Sequence, residues 1–196
     1  MKKGIAFFDF DGTITTRDTF LEFIKYSKGY LAFWTGFLFL SPYLVAFKVG
    51  LISNQKAKER VLRYYFGGVG ILDFNKECKA FAATVIPTLL RPKAIERIQW
   101  HIEQGREVVL VSASPENWLK DWCESMGIRL IGTQLEVKAD LLTGNVRGRN
   151  CHGEEKVRRI KEKFNLSDYQ EIYAYGDTSG DRPMLALAHY PFMKEF

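Results

Sequence analysis

A chain of 196 residues is long enough for one domain, or one domain with an insertion, and 46% apolar residues suit a globular protein with a sizeable core. The net charge of +5 favours anionic partners, but no helix-turn-helix, zinc-finger or RNP-type signature accompanies it, which argues against a nucleic-acid partner. Three cysteines without a CxxC pair argue against a disulfide framework or a zinc site. With no signal peptide visible before Asp9, we expect a cytoplasmic protein.

The first predicted element is a buried strand over residues 5–8, which ends at Asp9-Phe10-Asp11-Gly12-Thr13. Open α/β sheets bind their ligands at such carboxyl edges. Two carboxylates one residue apart repel each other unless a cation lies between them or one of them takes up a proton. Taken alone, the pattern also fits a strand followed by a polar turn.

After Thr13 the periodicity is helical for about 80 residues. Potential N-cap residues and glycine pairs mark the ends of the individual helices. The helices predicted in this stretch run from Asp18 or Thr19 to Lys28, from Ser53 or Asn54 to Tyr65, and from Ile71 to Ile86.

The segment between the first two of these helices is strongly apolar, with no charged residue from Gly29 to Phe47. As a single helix it would span roughly 28 Å, close to the thickness of a bilayer core. Pro42 predicts two short helices instead, and we expect them to form a buried hairpin. The alternative is a surface, residues 30–52, that makes peripheral contact with a membrane or receives a lipid tail.

From Arg91 onward, helices and strands alternate, which predicts a doubly wound parallel sheet in an α/β fold. The all-helical stretch, residues 15–90, is then a cap domain inserted into a core domain of residues 1–14 and 91–196. The predicted core strands are 107–111, 129–132, 171–175 and 190–193, with a hairpin of 136–137 and 145–147 turning at Leu142-Thr143-Gly144, and the predicted helices are 92–104, 114–126, 152–164 and 183–187.

Three further polar positions fall at the ends of core elements. Ser112 follows the second core strand, close to a predicted helix N-terminus at Ser114 whose free N–H groups suit an anion. Lys156 lies on the helix after the hairpin. Asp177 and Asp181 are framed by glycines and suit a hard cation such as Mg²⁺. Taken singly, these residues also fit a plain turn serine, a solvated lysine and an Asp-rich turn.

The set of Asp9-Phe10-Asp11-Gly12-Thr13, Ser112, Lys156 and Asp177 with Asp181, in this order, resembles the haloacid dehalogenase superfamily over the whole chain. The helical insertion after the first strand looks like subfamily IB, the phosphoserine-phosphatase-like branch with a four-helix cap. The resemblance implies a Rossmann-like core with an inserted α-helical cap. It also implies a phosphatase that works through an aspartyl-phosphate intermediate.

The aspartates of the set have distinct implied roles. Asp9 is suited to attack phosphorus, and the Asp11 side chain to protonate the leaving oxygen and later deprotonate the attacking water. The resemblance implies that Mg²⁺ is bound by Asp9, Asp177 and the backbone carbonyl of Asp11. Asp18 stands where phosphoserine phosphatases have a Glu that contacts the substrate amine, and it equally fits a cap for the first helix.

The remaining positions are expected to hold and orient the phosphate. Ser112, with Ala113 beside it, and Lys156 would bind the equatorial phosphoryl oxygens. Asp181 would orient Lys156 or a metal-bound water. His152 lies one helical turn before Lys156 and is the alternative for this third motif.

The apolar cap departs from phosphoserine phosphatases, because a small polar amino acid needs polar cap contacts. Residues 30–52, together with 111–115, 132–134 and 151–156, look like the bacterial phosphatidylglycerophosphatase C type of this branch. This resemblance implies a lipid phosphate such as phosphatidylglycerophosphate as substrate, at the inner face of the membrane. The alternatives are a soluble phosphatase for phosphoserine or another small phosphorylated metabolite, and a non-catalytic lipid-binding module on the same scaffold.

Overall fold

A five-stranded parallel sheet forms the centre of the computed structural model, which describes residues 2–196. Phe8 lies opposite Leu110 on one neighbouring strand and Tyr175 on the other, so three strands end at the same edge of the sheet. The predicted doubly wound α/β fold is confirmed. In spatial order the strands are β3 (Arg129–Thr133), β2 (Glu107–Pro115), β1 (Lys2–Phe8), β6 (Tyr169–Gly176) and β7 (Tyr190–Met193).

Helices cover both faces of the sheet, which explains why its strands are apolar on both sides. Successive side chains of β1 point to opposite faces. Phe8 belongs to the apolar cluster that extends into the helical insertion, and Phe7 to a second cluster on the other face. Helices α5 (Pro92–Glu103) and α6 (Glu116–Ser125) contribute to the first cluster, and α7 (Glu154–Lys163) and α8 (Arg182–Leu185) to the second.

The helical insertion between β1 and β2 packs around aromatic rings. The Phe23 ring is central, with ring centroids 4.8 Å from Trp118 and 5.4 Å from Phe66. The capping predictions are confirmed, because the side chains of Asp18 and Ser53 accept backbone N–H groups of the first turns that follow them. The helices are α1 (Thr19–Lys48), α2 (Asn54–Phe66), α3 (Ile71–Thr84) and α4 (Ile86–Leu89).

The predicted end of the first helix at Lys28 is confirmed by a break in α1 at Gly29, but the break predicted at Pro42 is absent. The helical geometry is interrupted at Gly29, with φ 79° and ψ 163°, and Pro42 lies inside the second helical part. Glycine adopts a positive φ without the clash that a Cβ would cause, so Gly29 can redirect the chain. Pro42 is exposed, so the carbonyl that loses its N–H partner does not lie in the core.

The second half of α1 is not the buried hairpin that we expected. Leu31 is 81% exposed and Leu38 is 76% exposed. A single stripe of Phe33, Gly36 and Leu40 is buried, and it faces α2. By length and composition α1 qualifies as a membrane-crossing helix, as core helices and signal sequences also do, but only 17% of its most apolar stretch is buried.

A small antiparallel hairpin of β4 (Leu135–Lys138) and β5 (Leu141–Val146) is present as predicted, but its turn lies elsewhere. The turn is formed by Ala139 and Asp140, both with positive φ. Gly144, predicted to lie in the turn, instead lies against α2, where a Cβ would come within 2.3 Å of Arg63 Cα. The backbone bonds that join the hairpin to the turn between α2 and α3 are Gly68 N–H to Leu142 C=O, Leu142 N–H to Val69 C=O and Ile71 N–H to Asp140 C=O.

Candidate active site

The candidate site lies where β1, β2 and β6 end side by side. The backbone N–H of Asp9 still donates to the carbonyl of Tyr175, at 2.9 Å, which fixes Asp9 at the edge of the sheet. Gly12 adopts a φ of 85°, and a Cβ there would lie 2.3 Å from an Asp177 carboxylate oxygen. The glycine therefore allows the loop after β1 to close against the loop after β6.

Lys156 lies between two carboxylates in the interior of the site. Its Nζ donates to Asp9 Oδ1 at 2.5 Å and to Asp181 Oδ1 at 2.7 Å. The lysine side chain is 2% exposed. Burial alone would lower the pKa of Lys156, but the two carboxylates hold it above its ordinary value, so the lysine remains a cation.

One lysine cannot neutralise both carboxylates, and the hydrogen bonds decide which one stays charged. Asp181 Oδ2 also accepts the backbone N–H of Thr178 at 3.0 Å and its hydroxyl at 2.9 Å. Although burial acts against it, Lys156 and these donors keep the pKa of Asp181 below its ordinary value. Burial, with repulsion from Asp181 and Asp11, raises the pKa of Asp9 to about 7 despite Lys156. Asp9 and Asp181 therefore share the one cation of Lys156, which is too little positive charge to keep both carboxylates ionised.

A divalent cation fits this donor set. Asp9, Asp177 and Asp181 each offer a carboxylate oxygen, and these oxygens all lie within 4.8 Å of one another. Burial and the charge of Asp181 raise the pKa of Asp177. The Thr13 hydroxyl donates to Asp177 Oδ1 at 3.3 Å and, at 3.5 Å, contacts Asp9 Oδ2. Hard oxygen donors with excess negative charge are the ligands that Mg²⁺ prefers.

The Asp11 carboxylate lies outside this cluster and has its own partners. Its Oδ1 accepts the backbone N–H and the hydroxyl of Thr19, both at 2.6 Å, and its Oδ2 accepts the Ser114 hydroxyl at 2.6 Å. Thr19 begins α1, where backbone N–H groups lack helical partners. These charge-assisted bonds hold Asp11 between the helical insertion and β2.

Ser114 is not the helix cap that the sequence predicts. Strand β2 continues to Pro115 and α6 begins at Glu116, so Ser114 is still in the sheet, where its hydroxyl binds Asp11. Its backbone N–H donates to the Ser112 hydroxyl at 3.0 Å. Ser112 is fully buried, and its hydroxyl retains a proton that it can donate to another acceptor.

Lys58 is a site neighbour that the sequence analysis missed. It extends from α2, and its Nζ donates to the carbonyl of Ala113 at 2.7 Å and to Asn150 Oδ1 at 3.2 Å. The Asn150 amide in turn donates to Asn54 at 2.6 Å. Nothing in the sequence separates Lys58 from the other cations of α2, because only the packing of α2 against the core brings it here.

The geometry bears on the role of Asp18 and on the choice between Lys156 and His152 for the third motif. Asp18 Oδ1 accepts the N–H of Phe20 at 2.9 Å and of Leu21 at 3.1 Å, so it caps α1, and its contact with substrate stays a prediction. His152 is exposed and lies against Gly180, where a Cβ would be 2.3 Å from its Nε2. Lys156 is the residue of this pair that contacts Asp9.

Known proteins resemble this chain over most of its length. The family of haloacid dehalogenase-like hydrolases matches residues 6–186. Protein CicA of Caulobacter vibrioides is 37% identical over 184 residues, which cover 92% of this chain and 81% of that protein. A protein of Mycobacterium tuberculosis named "probable phosphatase" is 28% identical over 198 residues, covering 94% of this chain and 66% of its own.

A solved structure described as a phospho-aspartyl intermediate analogue of phosphoserine phosphatase has the same fold. It superposes with a TM-score of 0.63 at 23% identity, over 96% of this chain and 84% of its own.

Proposed function

The chain belongs to the haloacid dehalogenase-like hydrolases and is a phosphatase-like enzyme, and from this premise we propose a Mg²⁺-dependent phosphomonoester phosphatase with Asp9 as its nucleophile. The observation that carries the proposal is the buried contact of Lys156 with Asp9 and Asp181, at the sheet edge where Asp177 also lies. The proposal retains the division into a core, residues 1–14 and 91–196, and a cap, residues 15–90.

The reaction we propose has two displacements at phosphorus. In the first, an Asp9 carboxylate oxygen attacks phosphorus, the bond from phosphorus to the leaving oxygen breaks, and Asp11 supplies the proton for that oxygen. In the second, Asp11 takes a proton from the attacking water, the water oxygen bonds to phosphorus, and the bond to Asp9 breaks to release phosphate. To act as the acid, Asp11 must exchange one of its bonds to Thr19 or Ser114 for the leaving oxygen.

The remaining residues stabilise charge during both steps. Lys156 and Ser112 would donate to the phosphoryl oxygens, and the bond from Lys156 to Asp181 would orient the lysine. Asp9, Asp177 and the backbone carbonyl of Asp11 would hold Mg²⁺, which cancels the repulsion between a carboxylate nucleophile and an anionic phosphate.

We propose a lipid phosphate such as phosphatidylglycerophosphate as the substrate, cleaved at the inner face of the membrane. The support is that the apolar segment 30–52 has large exposed side chains outside its buried stripe and leads directly to Ser53, the N-cap of α2. The next residue, Asn54, is bonded to Asn150, which accepts from Lys58 beside Ala113. The apolar segment therefore ends close to Ala113, one of the predicted phosphate-binding residues.

A small phosphomonoester such as phosphoserine is the second candidate, and one observation favours it. Lys58 places a cation beside Ala113, which would suit a charged metabolite, and Asp18, seven residues after Asp11, would be a second polar contact. A non-catalytic lipid-binding module would not need Asp9, Asp11 and Asp177, all of which are present.

The test is Mg²⁺-dependent phosphate release from phosphatidylglycerophosphate, phosphoserine and an aryl phosphate in parallel, with Asp9→Asn as the blank. A preference for the lipid supports the first candidate, and a preference for phosphoserine supports the second. Turnover of the aryl phosphate alone supports the chemistry and contradicts both substrates. Activity that persists in Asp9→Asn would refute the nucleophile, and no activity in the parent protein would favour the binding module.

A further inference from the structure

The second half of α1 is apolar on two opposite sides, and α2 covers one of them. The uncovered side is a row of large side chains spaced three, four or seven residues apart, as on one face of a helix, and each is more than half exposed. A helix that is apolar all round is normally buried in a core or a membrane. We call this row the apolar face, and its members are Leu31, Trp34, Leu38, Val45 and Val49.

Positive charge is concentrated in the part of the chain that carries the apolar face. Residues 29–66 contain five basic residues and one acidic residue, so they carry +4 of the chain's net +5, although Lys58, one of the five, extends into the candidate site. The other four-fifths of the chain is therefore almost neutral. This combination of an apolar face and adjacent cations is typical of helices that lie in the interface of an anionic membrane.

Two of these cations border an apolar groove between α1 and α2. The groove has a volume of about 260 Å³ and is lined by Phe39, Leu40, Tyr43, Arg60, Arg63 and Tyr64. The Arg60 guanidinium lies 4.2 Å from the centre of the Tyr43 ring and donates to its hydroxyl. The groove thus offers both a guanidinium for a phosphate and apolar walls for the start of an acyl chain.

We propose that the apolar face docks on an anionic phospholipid bilayer, with lipid phosphates bound by Arg60 and Arg63 at the groove. A second copy of the chain is the less suitable occupant, because a symmetric contact would place the same cations opposite each other. Docking itself does not depend on the proposed function. Its consequence rests on that function: a docked cap would hold the Asp9 site beside a lipid substrate.

The packing of α1 on α2 indicates that the helix lies on the membrane and does not cross it. The Tyr65 hydroxyl donates to the carbonyl of Phe33 at 2.8 Å, and a Cβ at Gly36 would lie 2.2 Å from that hydroxyl. A crossing helix would have to give up this close contact or draw the charges of α2 into the hydrocarbon.

The test is co-sedimentation of the full chain with vesicles of phosphatidylcholine alone and of phosphatidylcholine with about 30% phosphatidylglycerol. Leu31→Ser with Leu38→Ser should weaken binding at least about tenfold, because both leucines enter the interface. The matched control is Leu72→Ser, since Leu72 is 73% exposed but lies on α3. This control should bind as the parent protein does.

The charge part of the proposal is tested by Arg60→Gln with Arg63→Gln. This pair should weaken binding to the anionic vesicles about 25-fold, at roughly fivefold for each basic side chain, and should reduce its salt dependence. The control pair is Lys76→Gln with Lys120→Gln, whose side chains are 80% and 68% exposed outside the face. All variants should retain the parent's hydrolysis of a soluble aryl phosphate, which verifies the fold and separates docking from catalysis.

Three results would overturn the proposal. One is equal binding of the parent protein to both kinds of vesicle, and another is binding that survives the leucine pair. The third is a dimer in sedimentation equilibrium that the leucine pair dissociates, with no vesicle binding, since it would show that a second copy covers the face. Because vesicle binding needs no turnover, a protein that docks but hydrolyses nothing would refute the proposed function alone.

Discussion

Replacing Asp9 by asparagine is expected to change how the stability of the metal-free protein depends on pH. In the folded protein the pKa of Asp9 is raised from 3.8 to about 7, because burial and the Asp181 charge outweigh the contact with Lys156. Asparagine keeps the size of the side chain and removes its titration. The pH dependence of the variant's unfolding free energy should therefore lack the contribution of this one group.

The stability contributed by Asp9 falls as the pH rises, because the folded state retains a proton that the unfolded state has lost. Between pH 3.8 and about 7 the unfolded chain has lost the Asp9 proton and the folded chain still holds it. The stabilisation is fully present below pH 3.8 and is lost as the pH rises through about 7, at about 1.4 kcal/mol per pH unit. The whole window amounts to about 4 kcal/mol, of which about 3 kcal/mol falls between pH 5 and pH 8.

The assay is urea unfolding at several pH values between about 5 and 8 in the presence of a chelator. Over this range the parent protein should lose about 3 kcal/mol more unfolding free energy than Asp9→Asn. Asp177 titrates in the same direction but is present in both proteins, so its effect cancels in the comparison. Asp73→Asn is the control, because the Asp73 side chain is 78% exposed, and its profile should match that of the parent.

Parallel profiles for the parent and Asp9→Asn would refute the reasoning, because they would mean that Asp9 stays ionised in the folded state without a metal. Saturating Mg²⁺ supplies a second check, since it should stabilise the parent more at pH 8 than at about pH 5. In Asp9→Asn this pH-dependent gain should be smaller.

Three further substitutions test the site and the insertion. Lys156→Met leaves the buried, ionised Asp181 carboxylate without its cation, so it should abolish phosphate release and lower the metal-free unfolding free energy by about 3–5 kcal/mol, as measured by urea unfolding. Ser114→Ala removes one of the bonds to Asp11 and should lower kcat for an aryl phosphate about tenfold with little change in Tm; an unchanged kcat would show that Asp11 needs no such support. Gly36→Ala places a Cβ 2.2 Å from the Tyr65 hydroxyl and should cost about 1–3 kcal/mol of stability by thermal unfolding, which an unaltered Tm would contradict.

The strands and their carboxyl ends could be predicted from the sequence because each core strand is a short apolar run with polar residues directly after it. Parallel pairing then brings Asp9 and Asp177 to one edge, whatever the details of the loops. The presence of Lys156 in the site was expected from the resemblance alone, since one lysine on a polar helix carries no signal of its own burial, and its contact with Asp9 was not predicted.

The parts that the sequence did not predict depend on competition between partners. Ser114 is a good helix cap by type, but the Asp11 carboxylate is the stronger acceptor for its hydroxyl, and β2 continues past it. Lys58 enters the site only through the docking of α2 on the core. The apolar run after Gly29 predicted burial, yet hydropathy indicates how apolar a side chain is and not whether a neighbour covers it.

The hairpin β4–β5 and the turn between α2 and α3 are joined by three backbone hydrogen bonds, so they behave as one joint made from two distant parts of the chain. Gly144 lies so close to Arg63 that a larger residue there would separate them. An insertion or deletion on either side of this joint must be matched on the other side. We therefore expect an exchange of the helical insertion between relatives to preserve this contact best when residues 135–146 are transplanted with it.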